Sequence, residues 1–172
     1  KLLASDGQAN QGFGYSVSLY NNTALIGAVN SNGGFGAAYV FTRSDTIWTQ
    51  CQKLLPSDGG QYGFYGRSVS LTDIDAIIGA PTDGNRRGSV YVFKHTGLNW
   101  TEQQKIIASD GESDDLFGWS LSHNDNILAV GMMDSNTPGS VYIFNRNNTA
   151  WVEQTKIGAP DGIHGWGFGN AV

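Results

Sequence analysis

The chain has 172 residues, with 15 acidic and 10 basic side chains that give a formal net charge of −5. No run of lysines or arginines offers a binding surface for phosphates, so no nucleic-acid partner is expected. No stretch approaches the roughly 18 to 20 apolar residues that span a bilayer, so direct membrane insertion is not expected either. The 24 glycines and four prolines are typical of many short strands joined by tight turns.

The segment that opens the chain recurs three more times. Lys1-Leu2-Leu3-Ala4-Ser5-Asp6-Gly7 has counterparts that begin at Lys53, Lys105 and Lys156, in steps of 52, 52 and 51 residues. Four other landmarks keep this spacing: Phe13-Gly14, Tyr65-Gly66, Phe117-Gly118 and Phe168-Gly169; Gly27, Gly79 and Gly131; Tyr39, Tyr91 and Tyr142; and Trp48, Trp100 and Trp151. The chain is therefore a tandem repeat, and this periodicity determines the expected fold class.

Within each unit, four short β-type runs are bounded by Gly, Asn, Asp or Ser clusters. In the second unit they are predicted over residues 67–71, 76–80, 89–93 and 100–107. Asn and Asp tolerate the positive φ of tight hairpins, so the turns at residues 20–23 and 72–75 are expected to join the first two strands of their units. Valines and aromatic residues alternate over 90–93, which predicts a strand covered on both faces.

Four antiparallel strands in about 50 residues are typical of a β-propeller blade. The predicted fold is all-β, with about three and a third blades that form part of a larger propeller. Residues 1–12 contain the last strand of a preceding blade and a connecting loop, residues 13–64, 65–116 and 117–167 are three blade repeats, and residues 168–172 are the first strand of a further blade. Since an open arc would expose apolar faces, we expect a longer chain, further copies or a partner to complete the ring.

Three motifs recur along the chain. They are Phe-Gly-x-Ser at Phe13 and Phe117, Ile78-Gly79-Ala80-Pro81, and the segment from Gly88 to Phe93. In these motifs the chain resembles the FG-GAP repeat of integrin α-subunit propellers and of many secreted or surface proteins of bacteria and protists. The resemblance covers essentially the whole chain and implies a propeller, a fold that hosts adhesion, lectin, scaffold and enzyme roles alike.

The integrin type of this family carries Asp-x-Asp-x-Asp-Gly calcium loops between the first two strands of several blades. This chain has only short turns there, and Asp73-Ile74-Asp75 and Asn124-Asp125-Asn126 offer too few oxygens at the spacing that calcium needs. No metal or cofactor is therefore predicted. His95, His123 and His164 share no metal-ligand spacing, and the common catalytic motifs are missing from the sequence, so no enzyme activity is predicted.

An Asp-Gly pair recurs in every unit, at Asp6, Asp58, Asp110 and Asp161. Because this position repeats, we interpret it as part of the framework and not as a ligand site. The expected structure is an Asx-type turn, in which the carboxylate bonds nearby backbone amides and the glycine takes a positive φ.

Residues that break the repeat are the stronger candidates for binding. An acidic cluster precedes the third blade, and it is interpreted either as a solvated loop or as a cation site. Two adjacent arginines in the loop 82–88 are candidates for an anionic partner. These candidates are Asp110, Glu112, Asp114 and Asp115, and Arg86 and Arg87.

The tryptophans divide into two groups. Trp166 lies in a glycine-rich loop outside the repeat and is a candidate for stacking on a sugar. The repeated tryptophans are expected to pack between blades or to cover the outer strand. Cys51 aligns with Gln103 and Gln154, which indicates an ordinary strand position.

Three Asn-x-Ser/Thr triplets, at Asn21, Asn99 and Asn147, fall in or beside predicted turns. They are candidates for N-glycosylation and favour an extracellular or cell-surface location. The leading prediction is a binding or structural protein whose propeller holds a protein or glycan ligand or assembles with copies of itself. Two alternatives stay open: a lectin-type carbohydrate-binding propeller, and the accessory propeller of a larger secreted enzyme.

Overall fold

A computed structural model describes residues 1–59, 63–133, 138–160 and 167–172. These residues form three sheets of four antiparallel strands, each in sequential order. The strands are β1 (Phe13–Tyr20), β2 (Thr23–Ala28), β3 (Ala37–Ser44) and β4 (Ile47–Leu54); β5 (Ser68–Leu71), β6 (Asp75–Ala80), β7 (Ser89–Thr96) and β8 (Asn99–Ile106); β9 (Phe117–His123), β10 (Ile127–Met132), β11 (Ser140–Asn147) and β12 (Ala150–Gly158). The predicted propeller blades are confirmed, and we call them blades 1, 2 and 3.

Among the described residues, helical structure occurs in two connections between the second and third strands of a blade. A 3-10 helix spans Asn32–Gly34, and α1 spans Asp83–Arg86. No helix in the described part of the chain is long and apolar enough to cross a bilayer.

Each blade has two different edges, because its strands run alternately up and down. The tight turns β1–β2 and β3–β4, with their equivalents, lie at one edge, which we call the hairpin edge. Asn21, Asp45, Gly97 and Asn148 take positive φ in these turns, as the turn chemistry predicts. The connections β2–β3 and the links between blades lie at the opposite edge, which we call the loop edge.

The hydrophobic core lies between the blades. One buried cluster joins Leu25 and Val40 of blade 1 to Ile78 and Tyr91 of blade 2. A second joins Ile77 and Val92 of blade 2 to residues of blade 3 such as Leu128 and Val130. A blade therefore buries both faces only when it has a neighbour on each side.

The first strands of adjacent blades approach most closely, at a contact that repeats at each junction. The Ser16 hydroxyl donates a hydrogen bond to the Gly66 carbonyl of the next blade at 2.7 Å. Equivalent bonds from Ser68 to Gly118 and from Ser120 to Gly169 measure 2.8 Å. A Cβ atom built on Gly27, Gly79 or Gly131 would lie within 2.0, 2.2 and 2.0 Å of the same three carbonyl oxygens. The small residues of the repeat are thus required by the close approach of two backbones.

The two ends of the described chain differ from the prediction. Residues 1–12 and 168–172 form no strand in the structure. A strand needs hydrogen-bonded neighbours, and no described strand pairs with either end. Even so, Gly169 accepts the bond from Ser120, and Leu2 and Ala4 pack against the blade 1 core. The assignment of the two ends to further blades stays a prediction.

We expect Gly79→Ala to destabilise the fold by at least about 2 kcal/mol, because the new methyl group would overlap the backbone of the next blade. The overlap involves the Gly118 oxygen and the Ser68 hydroxyl, each 2.2 Å from the added carbon. Urea denaturation followed by circular dichroism measures the change. Gly158→Ala is the matched control, since a Cβ there meets nothing within 4 Å. Equal stability of the two variants would contradict the proposed role of this contact.

Candidate functional site

Two loops that the sequence marked separately meet at the loop edge, at the junction of blades 2 and 3. The Arg86 Nε lies 2.5 Å from Asp114 Oδ1, and the Arg86 carbonyl accepts the Leu116 amide at 2.9 Å. Arg87 Nη2 donates to the Ala108 carbonyl at 3.2 Å. The arginine pair and the acidic loop therefore form one surface, which we define as the charged loop surface (Arg86, Arg87, Glu112 and Asp114).

The four carboxylates of the acidic cluster do not converge on one point. Asp110 accepts hydrogen bonds from Tyr142 Oη at 2.6 Å and from Lys156 Nζ at 2.8 Å. Asp115 is buried and accepts the Glu112 amide at 2.6 Å. Among the described residues, no group of three or more His, Cys, Asp or Glu side chains is arranged to hold a metal ion. A binding role for the cluster stays a prediction.

The charges at this junction break the repeat. The equivalent connection in blade 1, residues 30–36, consists of Asn, Ser, Gly and Phe. The side chains of Arg86 and Asp114 remain 53% and 48% exposed. An ion pair this exposed contributes at most about 1 kcal/mol to stability, so little stability is lost if a partner competes for either charge.

The repeated aspartates have a structural role that differs in detail from the predicted turn. Asp6 accepts hydrogen bonds from Tyr39 Oη at 3.0 Å and from Lys53 Nζ at 2.6 Å. Asp58 has the same two kinds of partner in Tyr91 and Lys105, and Asp110 has them in Tyr142 and Lys156. Each aspartate thus fastens the link before a blade to the third and fourth strands of that blade. Asp161 lies outside the described residues.

These contacts change the acidity of the groups involved. The bond from Lys53 lowers the pKa of Asp6, and the bonds from Lys156 and Tyr142 lower the pKa of Asp110. Burial raises the pKa of the Tyr142 hydroxyl. The chain turns at these positions through backbone hydrogen bonds, because the amides of Gly7, Gly59 and Gly111 donate to the carbonyl three residues earlier. The prediction that each glycine takes a positive φ is wrong for Gly7 and Gly111 and correct for Gly59.

The repeated tryptophans pack as predicted. Trp100 and Trp151 are buried, and Trp48 packs against the core of blade 1. The Gln52 side chain of the preceding blade both accepts the Trp100 amide and donates to its carbonyl, each at 2.8 Å. Gln104 makes the same pair of bonds to Trp151. The roles of the two glutamines were missed, although their repeat spacing was visible. Trp166 lies outside the described residues.

A buried ion pair lies at the rim of the junction between blades 2 and 3. Arg146 pairs with Asp75, donates from Nε to the Asp125 carbonyl, and stacks over Trp151 at 4.4 Å. At the corresponding place between blades 1 and 2, His95 stacks on Trp100 at 4.8 Å. A cavity of about 80 Å³ lies there, and its lining includes Thr23, Asp73, His95 and Trp100. Sequence reasoning missed both features, which depend on contacts between blades.

His123 lies in the junction between blades 2 and 3. Its Nδ1 is 2.7 Å from the Ser70 hydroxyl, and its Nε2 is buried without a partner among the described residues. Burial, with a smaller effect from the Arg146 charge, lowers the pKa of His123 to about 4. The imidazole is therefore neutral in the folded protein at neutral pH.

The three glycosylation candidates all lie at the hairpin edge. Asn21 is in the β1–β2 turn, Asn99 begins β8, and Asn147 ends β11. All three are exposed, whereas the charged loop surface lies at the opposite edge. Modification of these residues stays a prediction. Cys51 is exposed on β4 as a free thiol.

Comparison with known proteins gives a consistent result. The family model described as "FG-GAP repeat" matches residues 1–41, 48–93 and 100–144. Integrin alpha-D of Homo sapiens is 29% identical over 126 residues, which cover 64% of this chain and 11% of that protein. Integrin alpha-M of Mus musculus is 30% identical over 129 residues, which cover 66% of this chain and 11% of that protein. The chain thus spans about a ninth of the length of these relatives.

We expect acid to destabilise the protein between pH 6.5 and pH 4 through His123. The imidazole takes up a proton near pH 6.5 in the unfolded protein and only near pH 4 in the folded protein. The free energy of unfolding therefore decreases as the pH is lowered through this window, by up to about 3 kcal/mol. His123→Gln should reduce this loss when denaturation is measured at pH 7 and pH 4.5. If His123→Gln loses as much stability between pH 7 and pH 4.5 as the wild type, His123 is not the group responsible.

Breaking the buried pair should cost far more than breaking an exposed one. We expect Asp75→Asn to destabilise the fold by about 3 kcal/mol or more, because Arg146 then stays buried without its charge partner. Asp110→Asn, at an aspartate whose side chain is 53% exposed, should cost about 1 kcal/mol or less. Thermal or urea denaturation of both variants at pH 7 tests the contrast, which equal costs would contradict.

Proposed function

Because this chain belongs to the FG-GAP repeat family, whose repeats are propeller blades, we propose that it helps to form a propeller that binds a protein partner at the cell surface or outside the cell. The similarity to integrin α chains supports an interaction role of this general kind. The more specific parts of the proposal rest on the distribution of residues over the two edges of the blades.

The observation that carries the proposal is a division between repeated and unrepeated residues. The repeated serines, glycines, tyrosines and glutamines bond to a neighbouring blade or to the link before their own blade. The unrepeated charges of Arg86 and Asp114 in the charged loop surface are about half exposed at the loop edge. A propeller built in this way can vary its loop edge without disturbing the blade contacts, which suits a binding scaffold.

The glycosylation candidates support the same orientation. If Asn21, Asn99 and Asn147 carry glycans, the sugars project from the hairpin edge. The loop edge then stays open to a partner. This arrangement fits secretion, since N-glycans are attached in the secretory pathway.

We also propose that a further blade covers the free face of blade 1. Tyr15, Val17 and Leu19 of β1 are 52%, 55% and 65% exposed. Leu71, the counterpart of Leu19 in blade 2, and Leu121, the counterpart of Val17 in blade 3, face a preceding blade and are only 5% and 8% exposed. An apolar strand face of this kind favours burial against another layer.

The test uses the full-length protein as a labelled tetramer, applied to a library of extracellular proteins and to a glycan array. We expect saturable binding to a protein target, weakened about tenfold by Arg86→Gln, which corresponds to about 1.4 kcal/mol. Surface plasmon resonance measures the affinity. The matched control is Arg43→Gln, because Arg43 is also exposed and bonded to a surface residue, Asn22, but lies at the hairpin edge.

The outcomes separate the alternatives. Binding to glycans and to no protein would overturn the proposal in favour of a lectin. Equal loss of binding in both arginine variants would contradict the assignment of the loop edge as the binding face.

A further inference from the structure

One position at or just before the first strand of each unit carries a different side chain in every unit. It is the residue that follows the Phe/Tyr-Gly pair, and we call its occupants the inner row: Tyr15, Arg67, Trp119 and Asn170. The flanking glycines and serines repeat because they hold the blades together. The inner row is therefore a variable position within an otherwise fixed part of the framework.

The inner row forms a continuous set of contacts across the three blades. The Arg67 guanidinium lies 5.0 Å from the centre of the Tyr15 ring and 4.0 Å from the centre of the Trp119 ring. Trp119 Nε1 in turn donates to Asn170 Oδ1 at 2.9 Å. Stacking on two aromatic rings restricts a flexible side chain to one position, and such cation–π contacts use the faces of the guanidinium.

The edge of the guanidinium is left for another partner. No described residue supplies a carboxylate or another acceptor to the Arg67 side chain. The other arginines of the described chain contrast with it: Arg43 bonds to Asn22, Arg86 to Asp114, Arg87 to Ala108 and Arg146 to Asp75. Arg67 is half-buried, so its five N–H donors are partly withdrawn from water and held in a fixed orientation.

We propose that Arg67 is an anion-binding residue that receives a carboxylate side chain of a protein partner, with Tyr15 and Trp119 as its supports. A guanidinium binds a carboxylate through two parallel N–H···O bonds, and fixing the fork in advance removes part of the entropic cost. Because the chain carries a net charge of −5, the attraction acts at short range and not by long-range steering.

The geometry favours an acidic protein segment over an acidic sugar. A sugar bound through stacking needs a free aromatic face, and the face of Trp119 towards Arg67 is already occupied at 4.0 Å. A carboxylate needs only the edge of the guanidinium. The inner row also lies near the start of each first strand, and therefore towards the loop edge that carries the charged loop surface. This inference rests on the proposed function and names one contact that the partner makes.

The experiment uses the full-length protein and two fluorescein-labelled probes, a Gly/Ser peptide with three aspartates and its analogue with three asparagines. Fluorescence anisotropy should show the acidic peptide binding at least about tenfold more tightly, with weakening at high salt. Arg67→Gln should abolish this difference, and Arg67→Lys should reduce it severalfold, since lysine lacks the planar fork. Arg43→Gln, which also loses one positive charge from a residue stacked on a tryptophan, should bind like the wild type.

Circular dichroism and denaturation confirm that each variant is folded, and Arg67→Lys keeps the test informative if Arg67→Gln is unstable. Equal binding of the two peptides, or unchanged discrimination in Arg67→Gln, overturns this proposal. If Arg67→Gln leaves the affinity for a partner from the extracellular library unchanged, the inner-row site fails while the proposed function stands. If only sialylated glycans bind in an Arg67-dependent way, the ligand is an acidic sugar and the protein-partner assignment is wrong.

Discussion

The rest of the structure depends on one backbone contact between adjacent blades. A serine hydroxyl in each first strand donates a hydrogen bond to a glycine carbonyl of the following unit. A glycine of the second strand lies against the same carbonyl, where no side chain would fit. This contact requires a serine and several glycines at fixed positions in each unit. It also sets the spacing at which the larger side chains of the third strands, such as Tyr91 and Tyr142, fill the space between blades. The repeated serine and glycines of the sequence are thus explained by the close approach of two backbones.

Polar contacts also stabilise the blades, and their contributions to stability differ. The tyrosine–aspartate–lysine contacts fasten each link to the following blade, but their aspartates and lysines are substantially exposed, so each makes a modest contribution. The pair of Arg146 and Asp75, whose side chains are 10% and 2% exposed, occurs at one junction among the described blades. At the junction between blades 1 and 2, the equivalent residues are Thr23 and His95, which line a cavity. Blades with the same framework can therefore differ in stability at their rims, while the inner contact stays constant.

The framework could be predicted from the sequence because its residues repeat at a constant step. The four strands of each blade, the packing of Trp100 and Trp151 and the structural role of the aspartates follow from that periodicity. The exact partners of the aspartates did not, because Asp6 and Asp58 bond to side chains 33 and 47 residues away. Arg67 and Trp119 were not recognised either, since each looks ordinary until the first strands are placed side by side. Contacts between blades form only when the units stack, so the sequence pattern of one unit does not predict them.

The same stacking places the unrepeated residues where a partner could reach several at once. Arg67 directly precedes the first strand of blade 2, and Arg86 lies in the connection between β6 and β7, yet both belong to the loop edge. Neither side chain takes part in the serine–glycine contact. At the hairpin edge, by contrast, the turns are short and rich in Asn, Asp and Gly with positive φ, which restricts their sequence. The hairpin turns therefore restrict their own sequence to residues that tolerate positive φ, whereas the connections at the loop edge can vary more freely. A propeller of this construction is expected to acquire a binding specificity at its loop edge, through exposed charges around the rim and oriented groups near the axis.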